Sequence, residues 1–119
     1  MPDLEEFFAD FPGSRPIFDV LARMVEAAGP ADVKVSKSQV AFRRKKAFAW
    51  AWIPGRYLRG KTAPLVLSVS LPQRDPSPRW KEVVQPAPGR FMHHLELSSL
   101  EDLDEQVAEW LRSAWYTAA

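Results

Sequence analysis

Residues 64–71 read PLVLSVSL, and this octet decides the fold. Leu65, Leu67, Val69 and Leu71 alternate with Val66, Ser68 and Ser70. An extended chain therefore has one continuously aliphatic side, while the other carries hydroxyls. A helix would scatter the same residues around its circumference. Upstream, residues 47–53 (AFAWAWI) alternate Phe48, Trp50 and Trp52 with alanines until Pro54 ends the run. Residues 39–43 (QVAFR) set Val40 and Phe42 against Gln39, Ala41 and Arg43, and the basic run Arg43 to Lys46 reads as a hairpin tip. Val33 and Val35 alternate with Lys34 and Ser36 in a further short strand. Downstream, residues 91–97 (FMHHLEL) place Phe91, His93, Leu95 and Leu97 on one side, with Met92, His94 and Glu96 on the other.

Helical periodicity brackets these strands. Residues 3–9 (DLEEFFA) form a short predicted helix with acidic residues in its first turn, where the helix dipole favours them. Phe7, Phe8 and Phe11 are its core anchors, and Pro12-Gly13 ends it. Ser14 precedes Arg15-Pro16 in the order of an N-cap and a first-turn proline. Ile17, Phe18, Leu21, Met24, Val25 and Ala28 follow at helical spacing up to Gly29-Pro30. A last helix starts at Ser98, with Glu101 completing a capping box and Leu100, Leu103, Val107, Trp110, Leu111 and Ala114 forming its stripe.

The predicted order is α-α-β-β-β-β-β-α. Links between most strands are too short for parallel crossovers, so the sheet is mainly antiparallel. Three amphipathic helices need a sheet face to cover, and a two-layer α+β sandwich with about five strands follows. Its other face carries Gln39, Arg43, Ser68, Ser70, His94 and Glu96. Alternation does not decide whether Trp50 and Trp52 or the alanines join that surface. Residues 72–89 hold five prolines and read as a long connection of the kind that carries function, pinned by Trp80, Val83 and Val84.

Length and charge narrow the classes. The 119 residues suit a single domain over 1–119, and 46% hydrophobic with 26% charged residues is a globular composition. No apolar run approaches the roughly 20 residues of a membrane span, and the acidic start lacks the basic opening of a secretory signal. Without cysteine there is no disulfide, thiolate nucleophile or Cys-based metal site. A cytoplasmic protein with no membrane partner is the expectation. The net charge of +1 hides a segregation: residues 34–90 hold thirteen basic residues against Asp75 and Glu82, while the flanking segments are each net −5. Such asymmetry points to an anionic partner for the middle of the chain, unless the acidic helices neutralise it.

The runs SKSQVAFRR (36–44) and FAWAW (48–52), with PSPRWKEV (76–83) and FMHHLEL (91–97), resemble the domain-of-unknown-function family 5655. The resemblance spans roughly Val33 to Trp110. It implies a small bacterial α+β domain, alone or appended to larger proteins, and carries no catalytic residues with it.

Candidate chemistry comes from the residues themselves. His93 and His94, adjacent on a strand, point to opposite faces and do not chelate one metal together. No metal or cofactor is expected, for neither GxGxxG, Walker nor HExxH patterns occur. His94 and Glu96 share a face, and with Ser68 or Ser70 alongside they draw a Ser/His/Glu arrangement that lacks a nucleophile elbow. A small enzyme using His94 and Glu96 beside Arg43 is therefore one alternative. Another is a homo-oligomeric interaction module, since monomer or homodimer is undecided by the pattern. The leading expectation is a noncatalytic module binding an anionic ligand: nucleic acid, a nucleotide or an acidic partner. Its cations are Lys37, Arg43, Arg44, Arg56, Arg79 and Lys81, because Arg grips phosphate or carboxylate in bidentate fashion. Gln39 and His94 add polar contacts, and Trp50, Tyr57 and Trp80 add stacking surfaces. Strand tryptophans are commonly core, so Trp80, between Arg79 and Lys81, is the stronger ligand contact of the three.

Overall fold

The computed structural model describes residues 2–119. Helices α1 (Leu4–Phe8) and α2 (Arg15–Ala28) precede six strands, and α3 (Glu105–Thr117) closes the chain. The strands are β1 (Asp32–Val35), β2 (Val40–Arg43), β3 (Ala47–Trp52), β4 (Leu65–Leu71), β5 (Glu82–Ala87) and β6 (Arg90–Leu97). They form one sheet in the order β1-β2-β3-β4-β6-β5 with every neighbouring pair antiparallel. The aliphatic side of β4 lies in register with that of β6, from Leu65 opposite Leu97 to Leu71 opposite Phe91. Ile17, Phe18, Leu21 and Val25 of α2 bury against this side together with Val107, Trp110, Leu111 and Ala114 of α3 and Phe7 and Phe8 of α1. All three helices therefore share one core on one face of the sheet, and no described α-helix lies on the other. No described helix is long and apolar enough to cross a membrane.

The structure departs from the sequence reading in four places. First, it has six strands rather than about five, because residues 82–87 of the proline-rich stretch pair with β6. Pro86 is tolerated because β5 is an edge strand, and the register shifts between Val84 and Ala87 around it. Second, Phe48 parts from Trp50 and Trp52. One step on β2, from Phe42 to Arg43, faces two steps on β3, from Ala49 to Ala47. This bulge turns Phe48 into the core beside Ala49, while Trp50 and Trp52 stay on the helix-free face. Third, the capping box sits one residue later than expected: Asp102 accepts from the amides of Ser98 and Ser99. It closes a single 3₁₀ turn, and α3 proper begins after Asp104, whose carboxylate accepts from Val107 N–H. Fourth, Ser14 does not cap α2; its hydroxyl donates to the Pro64 carbonyl at 2.6 Å.

The proline-rich stretch is pinned from beneath by a buried histidine. His93 is fully buried, and its Nε2 accepts from the Asp75 N–H at 2.9 Å. Its Nδ1 therefore carries the proton and donates to the Phe91 carbonyl at 3.2 Å. The Asp75 carboxylate accepts from the Trp80 indole and the Ser77 amide. Burial alone raises this carboxyl, but hydrogen bonds, those from Trp80 and Ser77 foremost, bring it below the usual aspartate range. The Trp80 ring lies on Trp110 of α3, with centroids 4.0 Å apart, and beside His93.

Burial also holds both imidazoles below the ordinary histidine range. The unfolded chain then binds more protons than the folded one, so stability is full above a pH of about 6.5 and declines as pH falls through it. A proton on Nε2 of His93 would meet the Asp75 N–H head on. The expected outcome is a melting temperature that is level above about pH 6.5 and falls as the pH drops from there toward roughly 5.5. His93→Ala should cost about 2–4 kcal/mol in denaturant unfolding and remove part of that slope. A melting temperature independent of pH over this range would contradict the assignment.

Candidate functional site

Strand register assembles the helix-free face. Trp50, Ser68, His94 and Glu82 lie in one row across β3, β4, β6 and β5. Trp52, Val66 and Glu96 form the next row. Alternation along β3 sends Ala49 and Ala51 to the helices, so both indoles are raised on the opposite side, each half-buried. The loop after β3 folds back over them: Tyr57 donates its hydroxyl to the Ser38 carbonyl at 3.1 Å, and its ring lies 6.4 Å from that of Trp52. The result is a trough of about 650 Å³ walled by Trp50, Trp52, Tyr57, Leu58, Met92 and His94, with Ser38, Gln39, Ser68 and Arg90 also lining it.

One polar chain crosses the trough floor. The Trp52 indole donates to Ser68 Oγ at 3.0 Å, and Ser68 Oγ lies 2.7 Å from His94 Nδ1. An indole N–H only donates, and Ser68 is almost wholly buried, so His94 Nδ1 is the acceptor available to its hydroxyl hydrogen. The proton of the neutral imidazole then sits on Nε2. Burial keeps His94 neutral, against the opposing pull of Glu82 across the strand pair. The Ser/His/Glu arrangement does not form as drawn from the sequence. Glu96 pairs with Lys81 at 3.5 Å rather than with His94, and the Ser68 oxygen is buried under the Trp52 donor. Among the described residues no three His, Asp or Glu side chains gather as a metal site.

A second cavity of about 610 Å³ opens at one end of the sheet, where the β2–β3 hairpin nears the β5–β6 turn. Arg43, Lys46 and Arg90 line it, with Ser70 and Thr117 among the uncharged residues and no carboxylate. All three cations are exposed, and none makes an ion pair with another described residue. Arg90 lines both cavities, so the two adjoin.

Of the residues singled out in the sequence, Gln39, Trp50, Tyr57 and His94 come together in the trough, and Arg43 lines the adjoining cavity. Lys81 stays on this face, in a cavity of about 340 Å³ that it lines with Trp52, His94, Glu82 and Glu96; the others go elsewhere. Lys37 and Arg56 lie beside Phe7 of α1, where Arg56 donates to the Phe7 carbonyl at 2.6 Å and stacks over Phe7 and Phe11. Arg79 is bound by the Asp104 carboxylate, Gln106 and the Asp102 carbonyl, and Lys81 meets Glu96. Trp80 is core, 8% exposed, because the indole plane finds Trp110 and its N–H finds Asp75.

Arg44 belongs to the fold. Its guanidinium lies 3.7 Å over the Trp115 ring and donates to the carbonyls of Trp115 and Tyr116. The amides of Lys45 and Lys46 donate to the Ala118 carbonyl. The basic hairpin tip thus satisfies the C-terminal end of α3, where the dipole favours cations. Sequence reasoning left Lys46 and Arg90 out of the site. Arg90 carries a usable signal, since it shares strand parity with Met92 and His94; Lys46 does not, because its place depends on the turn.

This two-layer α+β architecture sets helices on one side and an aromatic-lined sheet face on the other. The chain matches the family described as Domain of unknown function (DUF5655) over residues 5–118, and it belongs to that family. No curated protein and no solved structure matches it.

The two arginine roles separate by experiment. Arg44→Ala should cost about 1 kcal/mol of unfolding free energy, the worth of its stacked cation and lost carbonyl partners. Arg90→Ala should change it by less than about 0.5 kcal/mol. Urea denaturation of both variants checks this, and the reverse order would contradict the placement.

Proposed function

We propose that this domain is a noncatalytic binding module that holds a planar anionic ligand on the helix-free sheet face. The observation that carries this reading is that an aromatic trough adjoins, at Arg90, a cationic cavity lined by no carboxylate. Half-buried indoles already surrounded on their edges lose little freedom when a ring stacks on them. Unpaired guanidinium and ammonium groups retain their full attraction for an anion, whereas paired ones such as Arg79 and Lys81 have spent it on the fold. The binding reading is favoured over catalysis because Ser68 is engaged and buried and Glu96 is turned to Lys81.

A naphthalene sulfonate serves as a generic planar anion. It should bind with quenching of tryptophan fluorescence, and affinity should fall as salt rises. Arg43→Ala with Arg90→Ala should weaken it about tenfold, near 1.4 kcal/mol, while the melting temperature holds. Arg44→Ala should leave affinity unchanged in protein that remains folded. Binding indifferent to both salt and the Arg43/Arg90 pair would overturn the proposal.

A further inference from the structure

We infer that the ligand of this face is a nucleotide, its base on Trp50 and Trp52 and its phosphates on Arg43, Lys46 and Arg90; this rests on the binding reading above and names its ligand class. The distance between the two seats decides the ligand class. Strands β3 and β6 are both antiparallel to β4 and so run the same way. His94 shares a row with Trp50, and Arg90 precedes it by four residues, roughly 13 Å along the strand at about 3.3 Å per residue. On the other side Arg43 faces Ala47, three residues before Trp50, or roughly 10 Å toward the same end. The cations therefore flank one end of the sheet from two strands, β2 and β6, with the indoles set back between them.

An aromatic acid whose charge sits directly on its ring is too short to fill both seats and engages each only in part. A ligand that fills both needs a spacer between ring and anion, and the ribose of a nucleotide is such a spacer. Arginine forks match phosphate oxygens in bidentate pairs, and Lys46 adds a point charge. The trough wall also offers what a base edge needs. The Gln39 carboxamide, which makes no hydrogen bond to another described residue, presents a donor and an acceptor. His94 Nε2–H presents a second donor, its tautomer set by Ser68. A free nucleotide and a nucleotide within a single strand share this chemistry, since stacking platforms serve both.

The test is titration of the full chain, by tryptophan fluorescence and calorimetry, with ATP, adenosine, inorganic triphosphate, a short single-stranded oligonucleotide and the naphthalene sulfonate. The expected result is that ATP or the oligonucleotide binds at least tenfold more tightly than adenosine and than triphosphate. Arg90→Ala should abolish most of that advantage, and Gln39→Ala should weaken nucleotides while leaving the sulfonate unchanged. Trp50→Leu should remove the base-dependent part; should that variant fail to fold, the exposed Arg90 and the half-buried Gln39 carry the test. Binding of ATP assigns the site to free nucleotides, and binding of the oligonucleotide alone assigns it to strands. Sulfonate binding that depends on Arg43 and Arg90, with no response to either nucleotide ligand, would overturn the nucleotide and leave the broader reading standing. Adenosine or triphosphate matching ATP would also overturn it. No binding by any ligand would overturn both.

Discussion

Small residues on β3 allow the helices to pack, and everything on the other face follows from that constraint. Ala49 and Ala51 are fully buried beneath the helical layer, where Phe18 of α2 stacks on Phe42 of β2 with ring centroids 6.0 Å apart. Indoles at those two positions would add volume to a core already filled by Phe18, Phe42 and Phe48, and overpacking of that size is destabilising. The alternation of β3 then has only one sign that packs. With alanines inward, Trp50 and Trp52 are carried outward as a pair, and the sheet gains an aromatic face as a by-product of how its core closes.

How much of this was legible in the sequence depends on whether a feature is local. Helix α2, the aliphatic side of β4 and the opposed faces of His93 and His94 were all readable, because a period of 3.6 or 2 is written into adjacent residues. The sign of β3 was not, since alternation states which residues share a side and says nothing about which side meets the helices. Phe48 shows the further difficulty: a bulge adds one residue and moves it across the sheet, and no local pattern marks the extra step. Strand β5 was hidden for another reason. Pro86 argues against a central strand but not against an edge one, and edge status is a property of the whole sheet.

Charge was the least legible quantity. Thirteen basic residues in one segment look like a single surface when counted along the chain. In space they divide among unlike tasks: Arg44 closes the end of α3, Arg56 caps the rings of Phe7 and Phe11, and Arg79 and Lys81 meet carboxylates. The acidic C-terminal segment does neutralise part of the middle, but only where Asp104 and Glu96 reach it. What remains unpaired at the end of the sheet, Arg43, Lys46 and Arg90, is a smaller group, and its members lie far apart in sequence.

The single hydrogen on the Ser68 hydroxyl has an influence out of proportion to its size. Because the indole of Trp52 already fills one side of that oxygen, the hydrogen is sent toward the imidazole, and the imidazole must present N–H rather than a lone pair to whatever lies above it. Threonine in its place would keep this polarity, whereas alanine would free the ring to turn over and invert it. A wall that reads as one histidine is thus a three-residue device, whose outward character is decided by a group almost wholly hidden from solvent.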